Sequence, residues 1–225
     1  MTVESLTASP RFRCWIPPGV YRPQTDTGLL SRALRQERIT RRTEVLDLGT
    51  GSGVLAVEAA RRGARVTAVD ISWRALATAW CNALMNGQVV RVRHGDMASA
   101  VRGRRFDLVV TNPPYVPTPG DAAPRGRARA WDAGADGRLL IDRICTSAPA
   151  LLRPAGTLLM VHSHLSGVEE TLARFGAAGL RADVVDRVRL PFGRVLRARL
   201  AWLRECGLAG DHATEELVVI RAEHA

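Results

Sequence analysis

The sequence predicts an α/β fold built on a mostly parallel seven-stranded sheet, with helices on both faces and an antiparallel last strand. Three observations carry this. Short runs rich in Val and Leu alternate with amphipathic stretches, the pattern that a parallel sheet with crossover helices imposes. The first run opens into a glycine-rich turn, Asp47-Leu-Gly-Thr-Gly-Ser-Gly53, which leads into a helical pattern. The second run ends in a carboxylate, Asp70.

Residues 15–23 (WIPPGVYRP) are too proline-rich for a helix and predict an extended arm, followed by a helix over 27–37 with Asp26 or Thr27 as its cap. Residues 43–48 form the first strand and 54–62 the helix after it. The second strand covers 65–70 and the next helix about 72–85. Residues 88–94 make the third strand, and 105–111 the fourth, stopped by Pro113 and Pro114. Helical signals over 136–152 precede a strand at 157–163, a helix at 167–176 and a strand at 180–190. Leu196, Leu200 and Leu203 at helical spacing mark an amphipathic helix inserted at about 192–206. The last strand, 216–222, would then lie antiparallel to its predecessor at one sheet edge. The whole reads as one domain: an arm and helix (1–42) packed on a core (43–225).

The 225 residues carry 32 basic and 22 acidic side chains, a net charge of +10. Every basic residue is arginine and none is lysine, so the excess reads as a composition bias along the chain more than as a phosphate-binding surface. No apolar run is long enough to span a bilayer, and residues 1–10 lack the basic start and apolar stretch of a signal peptide. Cys14, Cys81, Cys145 and Cys206 are widely spaced, which predicts free thiols in a reducing cytoplasm and no zinc site.

Glycines between a strand and a helix let the backbone approach a ligand closely, beside free N–H groups at the helix start. A carboxylate ending the next strand can accept hydrogen bonds from two ribose hydroxyls. An ordinary tight turn would explain the glycines but not Asp70. The dinucleotide fingerprint would need a glycine at position 54, which is Val54. The spacing found instead, with Gly49, Gly51 and Gly53 following Asp47, resembles the first motif of Rossmann-like S-adenosylmethionine-dependent methyltransferases, the class I fold.

At the end of the fourth strand stands Thr-Asn-Pro-Pro-Tyr-Val. A proline-stopped strand accounts for the prolines but not for Asn112 and Tyr115. The lone pair of an amide or exocyclic amine is delocalised and attacks a methyl sulfonium poorly. Two acceptors gripping its N–H groups can aim that lone pair and favour pyramidal geometry. The side-chain oxygen of Asn112 and the carbonyl of Pro113 suit this role, and Tyr115 can stack on the planar group. No metal is required.

Asn-Pro-Pro-Tyr is the signature of methyltransferases acting on planar nitrogens. This sequence resembles the HemK-type protein glutamine methyltransferases, in particular a short branch without a separate N-terminal helical domain. Val20-Tyr-Arg-Pro-Gln-Thr-Asp-Thr27 is similar to that branch's Val-Tyr-x-Pro-x-Glu-Asp-Thr arm, with Thr25 where the branch usually has Glu. Ala130-Trp-Asp-Ala-Gly-Ala-Asp-Gly-Arg138 is similar to the segment that follows the signature, and the resemblance covers about residues 15–190. It implies that Thr27, Asp47 and the loop glycines border the methionine part of the cofactor, Asp70 and Ile71 the ribose, and Asp96 and Met97 the adenine. Asn112, Pro113 and Tyr115 would grip the acceptor, and Asn112 would also touch the cofactor. Pro114, Trp131 and Tyr21 would also contact the acceptor, with Tyr21 bordering the methyl-donor pocket as well.

The resulting expectation is a cytoplasmic enzyme that methylates a glutamine amide in a protein such as a release factor. A small-molecule or peptide natural product, or adenine in DNA or RNA, are the other acceptors considered; adenine in a duplex would usually need a target-recognition domain, for which the chain has little room. A domain that only binds cofactor would need a broken acceptor site. His162 and His164 alternate on one strand face but lack a third ligand. Trp73 and Trp80, seven apart on one helix, predict core packing, and Arg125, Arg127 and Arg129 form either a solvated loop or a contact to an acidic substrate.

Overall fold

A computed structural model describes residues 12–120 and 126–224. An extended segment leads to helix α1 (Thr25–Gln36), after which strands and helices alternate: β1 (Glu44–Leu48), α2 (Val54–Arg61), β2 (Arg65–Asp70), α3 (Trp73–Met85), β3 (Val90–His94) and β4 (Phe106–Thr111). Then follow α4 (Leu139–Leu151), β5 (Leu152–Ser163), α5 (Val168–Ala177), β6 (Leu180–Pro191), the short α6 (Arg194–Ala198) and α7 (Leu200–Glu205), and β7 (Thr214–His224). The strands form one seven-stranded sheet in the order β3-β2-β1-β4-β5-β7-β6. All neighbours are parallel except β7, which runs antiparallel between β5 and β6.

Each sheet face carries an apolar layer. On one side, Leu29, Leu30 and Leu34 of α1 pack with Leu55 and Val57 of α2 against Val45, Val110 and Val161. On the other, Ile141, Ile144 and Ala148 of α4 and Phe175 of α5 cover Leu46, Val109, Leu158 and Met160. Alternate strand residues thus belong to opposite layers, the period that a sheet buried on both faces requires. A third small cluster joins Phe192, Leu196 and Leu203 of the inserted segment to Leu165.

Several expectations need correction. The regular β4–β5 ladder does begin at Thr157, but β5 starts at Leu152, and the residues between are taken up by a register shift around Ala155, whose φ is +62°. The inserted helix is two short helices. Neither Asp26 nor Thr27 caps α1; Gln24 holds the cap position without a side-chain bond, because Asp26 is turned inward and engaged elsewhere. Trp73 and Trp80 are not in the core: they are 69% and 49% exposed, and Trp73 stacks on His94 with ring centroids 4.1 Å apart. The inward face of α3 is made of Ala75, Leu76, Ala79 and Ala83 instead. Small residues are needed there because α3 lies against the glycine loop. His164 has left the strand for a 3-10 turn and accepts the Glu216 N–H, while His162 is buried with its Nδ1 on the Ser163 carbonyl.

The contact between α3 and the loop gives a direct test. Gly53 has φ +79°, and a Cβ there would lie 2.6 Å from the Ala79 backbone and side chain. Gly53→Ala should therefore lower stability by about 2–3 kcal/mol, from left-handed strain plus collision. Urea denaturation measures it, and a loss below about 1 kcal/mol would contradict the packing.

Candidate active site

β1 and β4 are neighbours, yet the chain leaves β1 toward β2 and β4 toward β5, on opposite sides. The carboxyl ends of such a pair open a crevice where the connections diverge. Here it is a cavity of about 1090 Å³, more than a single small ligand usually occupies. Of the residues singled out in the sequence, it brings together Tyr21, Thr27, Gly49, Gly51, Asp70, Ile71, Asp96, Met97, Asn112, Pro113, Pro114, Tyr115 and Trp131.

Asp47 and Gly53 lie behind this lining. Asp47 is 1% exposed; its Oδ2 accepts the Thr50 hydroxyl at 2.6 Å and the Ala56 N–H at 3.1 Å, tying the loop to the start of α2. Burial, with Asp70 nearby, pushes its carboxyl up to about 7, against the pull of those two donors. Asp47 thus shapes the loop from beneath. Gly49 and Gly51 adopt φ of +76° and +53°, and a Cβ on either would meet nothing closer than 4.0 Å, so both leave room on the cavity side.

Asp70 receives the Gly51 N–H on one oxygen at 2.9 Å and the Ser72 N–H on the other at 2.8 Å. Each oxygen keeps a lone pair for a further donor. Burial raises its pKa, and the backbone donors oppose that. Asp96, at the far end, is half exposed and pairs with Arg143 of α4 at 2.7 Å. Met97 beside it has φ +50°, a strained conformation for a side chain with a Cβ. Strain retained in a cavity wall marks a backbone set by something other than local preference.

The opposite end is organised by Asp26, which is 3% exposed. One of its oxygens accepts the hydroxyls of Tyr21 at 2.6 Å and Tyr115 at 3.2 Å. The other accepts the Thr27 N–H at 2.5 Å and the Thr27 hydroxyl at 3.2 Å. The Thr27 oxygen in turn accepts the Asn112 side-chain N–H at 3.3 Å. Because Thr27 spends its hydrogen on Asp26, it can only accept from Asn112, so the Asn112 amide must turn its oxygen away from Thr27. Burial first, and the Asp26 charge second, hold both phenols well above the usual phenol range, so they remain donors. Asp26 was considered in the sequence only as a cap; the missed signal is an acidic residue beside Thr27 with a tyrosine five residues upstream.

The segment over 131–138 braces the far side of the signature. Val116 N–H donates to the Trp131 carbonyl at 2.8 Å, and Ala133 N–H to the Val116 carbonyl at 3.0 Å. The Ser166 hydroxyl donates to the Tyr115 carbonyl, beside Gly137, where any Cβ would collide with that carbonyl. Arg138, 3% exposed, clamps the carbonyls of Ser166 and Gly167, the Thr171 hydroxyl and Asp142. The inserted helices join the same wall. Arg199 pairs with Asp132 at 2.7 Å and donates to the Pro117 carbonyl at 2.8 Å, while Arg194, Val195 and Leu196 line the cavity. Arg129 also lines it; Arg125 lies outside the described residues. Glu215, at the start of β7, is a further buried lining residue that sequence reasoning missed.

Residues 13–123 match the Methyltransferase small domain family. The chain is 31% identical over 181 residues to a Methanocaldococcus jannaschii protein provisionally named as a protein N5-glutamine methyltransferase, covering 80% of this chain and 90% of that one. The chain belongs to the HemK-type methyltransferase family. It is 39% identical to a release factor glutamine methyltransferase of Bordetella pertussis, over 74% of its own length and 64% of the relative's. The chain thus spans under two thirds of that bacterial enzyme but most of the archaeal one. Among solved structures, the Mtq2–Trm112 complex of E. cuniculi, responsible for methylation of the eRF1 termination factor, aligns at TM-score 0.63 and 24% identity, over 92% of this chain and 99% of that one. A T. thermophilus 16S rRNA methyltransferase solved with AdoMet and guanosine aligns at TM-score 0.60 over 92% of this chain and 46% of that one. These two share the class I methyltransferase fold with this HemK-type chain.

The Asp26 node predicts that Asp26→Ala, which strands four donor groups in the interior, lowers stability by at least about 3 kcal/mol, whereas Asp26→Asn, which keeps one acceptor, costs less. Urea midpoints of the two variants would decide; equal and small losses would show that the node bears no load.

Proposed function

We propose that this protein is an S-adenosylmethionine-dependent N-methyltransferase whose acceptor is the side-chain amide of glutamine in a protein. The observation that carries this reading is the directed chain from Asn112 through Thr27 to Asp26, which leaves the Asn112 oxygen free to grip an amide N–H. Names of the archaeal and bacterial relatives support glutamine as the acceptor.

The residues fit the cofactor. Gly49 and Gly51 leave the space that side chains would fill, Asp70 has lone pairs to spare beside Ile71, and Asp96 with Met97 ends the donor side. When bound, S-adenosylmethionine supplies an electrophilic methyl group on a sulfonium. This chain's own residues do the rest. Asp70 would hold the ribose hydroxyls, and Asp96 would use its remaining lone pairs on the adenine amino group while Arg143 fixes its orientation. The Asn112 oxygen and the Pro113 carbonyl would each take one N–H of the acceptor amide, turning its lone pair toward the methyl group and stabilising the positive charge that develops on nitrogen. Tyr115, fixed at its hydroxyl by Asp26 and at its carbonyl by Ser166, would stack on the amide plane. The acceptor nitrogen held by Asn112 and Pro113 would take the methyl group, with the C–S bonding pair kept on sulfur, and would lose its extra proton to solvent.

Asn112→Ala should lower kcat by at least about 100- to 1,000-fold, the scale seen when one charge-stabilising group is removed, while cofactor affinity stays within about threefold. Asp70→Ala should do the reverse, weakening calorimetric cofactor binding about 100-fold through the loss of two hydroxyl partners. Mass spectrometry after incubation with a glutamine-containing release factor, oligonucleotides and a cell extract identifies the acceptor. Transfer to the oligonucleotides alone, or unchanged turnover in Asn112→Ala, would overturn the assignment.

The E. cuniculi neighbour was solved with Trm112. Among the described residues the outer β3 edge is unpaired, and Trp80, Leu84 and Met85 of α3 with Val89 before β3 are 49%, 52%, 44% and 83% exposed. We propose that a small partner protein with an apolar face covers this edge. The isolated chain should then self-associate in light scattering and become monomeric when Trp80 and Val89 are both changed to Ser. A monomeric wild-type chain would contradict it.

A further inference from the structure

Methyl transfer as argued above leaves one buried acid without a task. Glu215 is 7% exposed, lines the cavity, and sits at the first turn inward of β7, on the same strand face as Leu217 and Val219 of the core. It faces Asp26 from α1, Tyr21 from the arm and Tyr115 after β4, and its carboxylate accepts a hydrogen bond from Ser163 at the end of β5. The cationic side chains lining the same cavity are Arg22, Arg129, Arg143 and Arg194; the charge that raises Glu215 is that of Asp26.

A buried carboxylate is costly unless donors reach it. Asp26 cannot share the donors it already has: two tyrosine hydroxyls, one N–H and one threonine hydroxyl occupy its four lone-pair directions. Among the described residues Ser163 is the donor that acts on Glu215, so this carboxylate keeps accepting capacity that Asp26 has spent. Its neighbours there are Tyr115 of the signature and Tyr21 of the arm, not the groups of the ribose and adenine end. What such a carboxylate can take is an N–H donor brought in by the substrate, and an extended peptide offers one at every residue.

We propose that Glu215 determines acceptor specificity: its carboxylate receives the backbone N–H of a residue flanking the target side chain, and so selects a peptide over a free amide. This rests on the glutamine reading above. The bond is charge-assisted in a desolvated site, and its loss should appear in acceptor binding and not in the chemical step. Burial and the Asp26 charge lift Glu215 to about 7, so it is protonated below neutrality and accepts better above it.

The test compares wild type with Glu215→Gln, which keeps the shape and the Ser163 contact, on a glutamine peptide and on peptides with single backbone N-methyl groups at flanking positions. For wild type, one N-methyl position should raise KM about tenfold, as loss of one charged hydrogen bond would. Glu215→Gln should raise KM about tenfold on the plain peptide with kcat nearly unchanged, and lose almost nothing more on that N-methyl peptide, the coupling a direct contact requires. The rise of wild-type kcat/KM between about pH 6 and 8 should flatten in the variant. Unaltered cofactor calorimetry certifies that the variant is folded. If wild type methylates the peptide and Glu215→Gln leaves KM and the pH profile unchanged, or the two losses simply add, this inference fails alone. If wild type transfers methyl to no glutamine peptide or protein, the functional reading fails and takes the inference with it.

Discussion

Adjacent parallel strands whose chains depart in opposite directions are the constraint from which this site follows. β1 and β4 share a full ladder, and the Thr111 hydroxyl donates to the Leu48 carbonyl across their last residues. The glycine loop and the Asn112 turn are thereby fixed side by side, although more than sixty residues separate them in the chain. Neither turn could be placed by its own local preference. The ladder does it, and two apolar layers hold the ladder between α1–α2 and α4–α5.

On that base, orientation is set by hydrogen-bond direction more than by packing. An Asn amide can face either way, and the choice decides whether it presents an acceptor or a donor to its neighbour. Here the choice propagates from one buried carboxylate through a hydroxyl that has a single hydrogen to give. The proline-rich arm, which has no regular structure of its own, becomes part of the site because Tyr21 closes on the same carboxylate. Polar networks of this kind are rigid only when every member is satisfied, which is the case at Asp26.

The parts legible in the sequence were those written as local pattern. Alternating strands and helices, the antiparallel partner at the edge, the glycine loop, Asp70 and the Asn-Pro-Pro-Tyr turn all have short-range signatures. What escaped depends on which way a side chain turns. Asp47 reads as a ligand contact but points beneath the loop; Asp26 reads as a helix cap but points into the cavity. Trp73 and Trp80 have helical spacing that marks a face without saying which face, and the alanines opposite them gave the better clue, because only small side chains let α3 approach Gly53. Glu215 was legible in hindsight as a charge on the buried face of a strand otherwise made of Leu217 and Val219, a local conflict of the sort that functional sites retain.

The inserted segment makes the cavity modular. Its small separate core of Phe192, Leu196 and Leu203 puts Leu196 into the cavity wall beside Asn112 and Tyr115, and Arg199 fastens it to Asp132 and Pro117. The donor side draws on none of these residues. A substitution within this module would therefore alter one wall of the cavity while leaving Gly49, Gly51, Asp70 and Asp96 in place, so the two ends of the cavity can change independently of each other.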